Sequence, residues 1–246
     1  MIHVVCLKWG KKYGPEYVNR LYSMVSKQLS LPFQFYCLTE DSTGIVDEVN
    51  IIDLPELNIH TWWYKLYIFK EGFLNLSDEE RILFLDLDVV IVNKLDSLLA
   101  FNHPFCISSD INEEKYNSSV MCFNANSFRF IWDSFWSQKE YIMERFHGDQ
   151  DWIEHVYPTA KIYPKANVKS FKLDLDSKTP FSFGKFGRFF RSRFPKIFLP
   201  GGTVDYPKDA SVVLFHGKPD PEDVMDGPYD KYRQAPWIKQ FWLDVE

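Results

Sequence analysis

The chain has 246 residues and a formal net charge of −6, with 46% hydrophobic and 25% charged residues. That balance fits a soluble globular protein of one large α/β domain or two small ones, and its acidity excludes a general nucleic-acid binder. No stretch approaches the ~20 apolar residues of a membrane span, and basic residues follow the short N-terminal apolar run instead of preceding it as in a signal peptide.

The first predicted element is a strand over "IHVVCL" (2–7), which feeds a loop at Lys8-Trp9-Gly10. Pro15 can open a helix, and Val18, Leu21, Tyr22, Val25 and Leu29 then recur at helical spacing. "PFQFYCLTED" (32–41) and "EVNIIDLP" (48–55) read as strands. "TWWYKLYIFKEG" (61–72) has helical spacing through Trp62, Leu66 and Phe69, closed by Gly72. Strand-like runs follow at "RILFLDLDVVIVN" (81–93), "PFCISS" (104–109) and "SSVMCFNANS" (118–127), then a helical "FRFIWDSFWSQ" (128–138). "HGDQDWIEHVY" (147–157), "AKIYP" (160–164), "VKSFKLDL" (168–175) and "SVVLFHGKPDP" (211–221) complete the order. Strands and helices alternate in the first half, and strands are expected to dominate the second. This order predicts an α/β fold: a Rossmann-like, mostly parallel central sheet flanked by helices, with a smaller mixed or antiparallel sheet in the C-terminal half. Without repeats or a Gly/Ser linker, 1–246 is expected to be one domain, with a nucleotide-binding half (1–125) and an acceptor and sugar half (126–246).

Cys6, Cys37, Cys106 and Cys122 sit in apolar, strand-like contexts without metal-site spacing. They read as small core residues of a protein from a reducing cytosol, which makes the Asn-x-Ser sequons at Asn75 and Asn117 coincidental. Aromatic residues make up 17% of the chain, a share that suits nucleobases and sugar rings as well as cores. From Ser177 to Val204 there is no acidic residue, yet six basic residues alternate with seven phenylalanines. That segment is either a loop folded back onto the core or an acceptor-binding or peripheral membrane surface. The C-terminal "YDKYRQAPWIKQFWLDVE" is a packed helix or a partner surface.

Asp86 and Asp88 interrupt an apolar run, and a buried carboxylate without a partner is costly. A metal ion, a basic partner or a strand end open to solvent could compensate. Alternate positions on a strand share a face, so both carboxylates could meet one divalent cation with hard oxygen ligands. His216, Gly217 and Lys218 stand just past another apolar strand, where an α/β sheet presents ligands. Imidazole can complete the coordination of a metal such as Mn²⁺. Gly217 admits a phosphate to the backbone, and Lys218 offers it a point charge.

"FLDLDVV", "NSSVMCFN", "GDQDW" and "FHGKPDP" occur in that order. On these motifs the chain resembles nucleotide-sugar-dependent glycosyltransferases of the GT-A fold, the glycogenin-like family 8 group in particular, over residues 2–221. Ser119 stands where that group usually has Gly, and "HGKP" is more compact than its usual C-terminal spacing. The resemblance implies that Asp86, Asp88 and His216 hold Mn²⁺ or Mg²⁺, with Lys218 and the Gly217 backbone facing the diphosphate. It places uracil of a UDP-sugar donor against Tyr13 and Trp9. Lys65, Leu87, Asn117 and Ser118 join the donor contacts, although Lys65 could equally be a solvated helix lysine beside core tryptophans. Asp149 and Gln150 match a pair near the reacting carbon, and Asp151 is either a further carboxylate or the cap of the helix beginning at Trp152. The implied reaction is transfer to a glycan or lipid-linked acceptor hydroxyl, with retention favoured.

Two other readings compete. Haloacid-dehalogenase-type phosphatases also follow an apolar strand with D-x-D, but there the motif ends the first strand, whereas about three strands precede Asp86 here. A nucleotide-sugar or glycan-binding module without turnover would keep the fold alone.

Overall fold

A computed structural model describes residues 1–110, 112–176, 193 and 202–242. Strand β1 (Ile2–Lys8) is buried on both faces, as a continuous apolar run predicts for a central strand. Val4 and Cys6 enter one core while Val5 and Leu7 enter another on the opposite face. Strand β4 (Arg81–Leu85) repeats the alternation, with Leu83 and Leu85 on the first side and Ile82 and Phe84 on the second. Between them in sequence lie helix α1 (Pro15–Gln28), β2 (Phe33–Thr39) and β3 (Asn50–Asp53). Proline at its first turn opens α1, and Val18, Leu21 and Val25 bury its apolar face on the first core.

The central sheet has seven strands in the order β3-β2-β1-β4-β7-β6-β8, completed by β6 (Phe105–Ser109), β7 (Tyr116–Asn124) and β8 (Lys161–Ile162). Only β7 runs against its neighbours. A second sheet joins β5 (Val90–Ile91), β10 (Val212–Leu214) and β9 (Val168–Ser170) in the order β5-β10-β9. Val89 to Val92 leave the carboxylate pair directly for this sheet, and their side chains share the first core with Val212, Val213 and Leu214. The expected α/β architecture with a smaller second sheet is therefore the one observed.

Three local expectations change. The segment Thr61–Phe69 is a 3₁₀ helix, and it sends Trp63, Leu66, Ile68 and Phe69 into the second core. The second half is not dominated by strands, because α3 (Arg129–Ser137), α4 (Lys139–Arg145) and α5 (Asp149–Val156) occupy much of it. "VKSFKLDL" is a strand for only three residues before it turns into a short π-helix, Phe171–Leu175. The Asp174 carboxylate accepts from the Ser170 amide at 2.7 Å and the Ser170 hydroxyl from the Leu173 amide at 3.3 Å, which folds the chain out of the sheet.

All four cysteines are buried free thiols. The C-terminal stretch packs Trp237, Ile238 and Trp242 onto the first core. The basic, aromatic segment 177–204 lies outside the described residues apart from Arg193 and 202–204.

Candidate active site

Parallel strands β1 and β4 end side by side, and the loops that leave them enclose a cavity of about 250 Å³. Leu7 and Leu87 contribute apolar wall, Trp9, Tyr13 and Trp62 aromatic wall, and Lys12, Lys65, Asp86 and Asp88 charge. An aromatic-lined crevice at the carboxyl edge of an α/β sheet is where such folds receive ligands. The sequence-predicted Trp9, Tyr13, Lys65, Asp86, Leu87 and Asp88 thus share one cavity.

The two carboxylates in the apolar run are accommodated differently. Asp86 has a basic partner: Lys65 Nζ lies 2.8 Å from its carboxylate, and its backbone amide donates to the Ser119 carbonyl at 2.9 Å. Lys65 is only 8% exposed, so it is no solvated helix lysine. Burial pulls its ammonium down in pKa, but the carboxylates of Asp86 and Asp149 outweigh that and hold it above its ordinary value. Asp88 accepts a hydrogen bond from the Tyr13 hydroxyl at 2.8 Å. Burial, and then the charge of Asp86, push the Asp88 carboxyl up to about 7. The same burial, with the Asp88 charge, drives the Tyr13 phenol upward and keeps it protonated.

Lys65 also donates to the Ser118 hydroxyl at 3.1 Å, and Ser118 stands against the carboxyl of Asp149. Asp149 begins α5 and is 3% exposed, and its Oδ2 has no hydrogen-bond partner among the described residues. Burial raises its carboxyl, against the pull of Lys65 and Ser118. A chain Asp86–Lys65–Ser118–Asp149 therefore runs from the end of β4 across β7 to the start of α5. Gln150 donates to Asp110 at 3.1 Å.

Several predicted residues do not line this cavity. Asn117 is buried and serves the irregularity between β6 and β7: its Oδ1 accepts from the Ser119 amide at 3.0 Å and the Ser108 hydroxyl at 3.3 Å. Asp151 lines a separate, more open cavity of about 550 Å³ with Lys115, Arg145, His147, Glu154 and His155. It does not cap its helix either, since Gly148 holds that position. His216 follows β10 and donates to or accepts from Ser170, the last residue of the paired β9, at 2.7 Å. Among the described residues no three His, Cys, Asp or Glu side chains are already gathered at one point, and the charge of Asp86 nonetheless acts on the His216 imidazole. The His216 imidazole is held below its ordinary value by burial and then by Lys172. Lys218 is paired with Asp220 at 2.9 Å and Asp223 at 2.8 Å, which raises its ammonium well above the usual range.

Three side chains escaped the sequence reading. Trp62, expected in the core, is 40% exposed on the cavity rim and stacks on His147 with ring centroids 5.9 Å apart. Lys12 donates to the Tyr13 hydroxyl. Lys172 donates to the His216 carbonyl beside Gly217.

No protein-family model and no curated protein matches the chain. Solved structures do match. The galactosyltransferase LgtC, in complex with donor and acceptor sugar analogs, superposes with a TM-score of 0.60 and 14% identity over 98% of this chain and 95% of that one. The glycosyltransferase GlyE of Streptococcus pneumoniae TIGR4 gives 0.62 and 11%, over 99% of this chain and 60% of GlyE. The bifunctional glycosyltransferase WbbM gives 0.63 and 12%, over 99% of this chain and 50% of WbbM. The chain thus spans little more than half the length of the latter two. At these identities the likeness establishes the fold, which is the GT-A type.

Proposed function

We propose that the protein is a glycosyltransferase that moves a sugar from a UDP-sugar to a hydroxyl of a glycan or lipid-linked acceptor, assisted by Mn²⁺ or Mg²⁺. One observation carries this reading: a single cavity at the carboxyl edge of the sheet joins aromatic walls to two adjacent carboxylates, one of which burial and like charge hold near neutrality. The aromatic part suits a base and a sugar, and the carboxylate pair suits a hard divalent cation.

Asp86 and Asp88 would hold that cation, and bound there it would stabilise charge on the departing diphosphate. The cation site is proposed on these two carboxylates, with His216, whose Nε2 is bonded to Ser170, as the further ligand that the resemblance implies. Lys65 fixes the orientation of the Asp86 carboxylate, and the Tyr13 hydroxyl that of Asp88. Tyr13 and Trp9 offer ring faces to uracil. Asp149, with a free carboxylate oxygen at the start of α5, opposes positive charge developing on the anomeric carbon. Retention is proposed because the resemblance that places Asp149 and Gln150 near the reacting carbon implies it.

The phosphatase alternative requires the D-x-D at the end of the first strand, and here it follows the fourth. No helix among the described residues is long and apolar enough to cross a membrane. We take the free thiols to favour the cytoplasm, with any membrane contact peripheral.

The test is UDP release from a panel of UDP-sugars, with Mn²⁺, with Mg²⁺ and with chelator. Release that needs the cation and is lost in Asp88→Asn supports the reading. Phosphate release from phosphomonoesters, with no UDP-sugar turned over, contradicts it.

A further inference from the structure

We infer that Lys172, rather than Lys218, supplies the protein's cationic contact to the diphosphate of the donor. This rests on the donor site proposed above and assigns within it a residue that no motif marks.

Asp86, Asp88, Asp149 and Asp220 all bear on this region, so a diphosphate entering it needs a cation that is not already engaged. Lys65 is bonded to Asp86. Lys218 is clamped by Asp220 and Asp223, the two residues that form the capping box of the short helix Pro221–Met225. Withdrawing Lys218 would strip its charge from both carboxylates of that cap. Lys12 is exposed and bonded to Tyr13, on the side assigned to the base.

Lys172 differs from these three. Its ammonium donates to the His216 carbonyl and lies 5.7 Å from the Tyr232 ring, and no carboxylate pairs with it among the described residues. It is half-buried, and its charge acts on both Asp88 and Asp220. The Tyr13 hydroxyl also joins these two carboxylates, at 2.8 Å and 3.5 Å, so Lys172 faces the same corner of the site. Gly217 adopts a left-handed φ of +62°, and Lys172 Nζ is the nearest group to its missing β-carbon, at 3.9 Å. An anion that approaches the Gly217 backbone therefore meets Lys172. Burial, and then the like charge of Lys231, lower the Lys172 ammonium, a penalty that an anionic ligand offsets.

The compact "HGKP" spacing gives the arrangement a simple origin. It leaves Lys218 beside Asp220 and Asp223, while the π-helix after β9 swings Lys172 over Gly217.

The experiment is calorimetric titration with UDP, pyrophosphate and uridine, in Mn²⁺, of the wild type and of K172Q, K172R and K218Q. Glutamine retains a hydrogen-bond donor for the His216 carbonyl but removes the charge. K172Q should bind UDP and pyrophosphate about tenfold more weakly, with uridine unchanged, since a charged contact to phosphate is of that order. K172R should recover UDP binding to within about threefold, and K218Q should lose less than K172Q. Wild-type affinity for UDP in K172Q, or an equal loss of uridine and UDP, would overturn the assignment and leave the donor site standing. A wild-type protein that binds neither UDP nor pyrophosphate would overturn the donor reading and this inference together.

Discussion

At the scale of single residues, the site is governed by the contrast between Asp86 and Asp88. Asp86 has Lys65 as a direct counter-ion, whereas Asp88 is hydrogen-bonded to the neutral Tyr13 hydroxyl, and burial with the repulsion of its neighbour outweighs the pull of Lys12 and Lys65. Between about 4, the ordinary carboxylate value, and about 7 the folded protein keeps a proton on Asp88 that the unfolded chain releases. The contribution of Asp88 to stability is therefore fully present below the lower value and lost as pH rises to the upper one. Asp88→Asn removes this loss while preserving an acceptor for Tyr13. It should melt about 2–6 °C above the wild type at pH 8, and by a smaller margin at pH 5. Thermal melts at the two pH values check this, and a margin that grows on acidification would contradict it. The D-x-D pair, Tyr13 and Trp9 were legible because carboxylates after an apolar strand and aromatics after the first strand can meet in only one place in this fold. Lys172 was not legible. Nothing in "VKSFKLDL" signals that Ser170 and Asp174 break the strand and turn the lysine toward the site.

At the scale of elements, the start of α5 is the most constrained junction. A β-carbon on Gly148 would lie 2.7 Å from Trp62 Nε1, and the Trp62 indole donates to the His147 carbonyl at 3.2 Å. The 3₁₀ helix and α5 can approach this closely only with glycine there, and that approach sets Asp149 against Ser118 and Lys65. Gly148→Ala should cost about 1–3 kcal/mol and reduce the proposed sugar transfer at least tenfold. Most of the stability cost should vanish in a Trp62→Ala background, a coupling that a double-mutant cycle measures. Additive costs would show that Trp62 is not the obstacle. The sequence pattern located both elements but mistook the rim tryptophan for core, because helical spacing alone cannot say which of two adjacent tryptophans faces a cavity.

At the scale of the whole molecule, the two sheets share a core through Val89 to Val92 and the strands that follow, so the N-terminal and C-terminal portions are joined by one body of side chains. Arg233 reinforces the C-terminal part from inside. Its Nε lies 2.8 Å from the buried Asp176 carboxylate, and its amino groups reach the carbonyls of Leu175 and Thr203. Arg233→Met should destabilise the protein by about 3–5 kcal/mol in denaturant melts, the cost of breaking a buried pair from one side. A loss below about 1 kcal/mol would mean that the pair is marginal. The alternation of strands and helices made the architecture readable in advance, since parallel strands need helical crossovers. The balance of elements in the second half was not readable, because strands of two or three residues carry too little pattern.

On the proposed function, the cavity between Tyr13, Trp62 and the carboxylate pair binds a uridine diphosphate through a cation. Titration of the purified protein with UDP, with and without Mn²⁺ and beside GDP as a control, tests it most directly. Binding of UDP should be at least about tenfold tighter with Mn²⁺ and should exceed that of GDP. Failure to bind either nucleotide, or UDP binding indifferent to the cation, would contradict it.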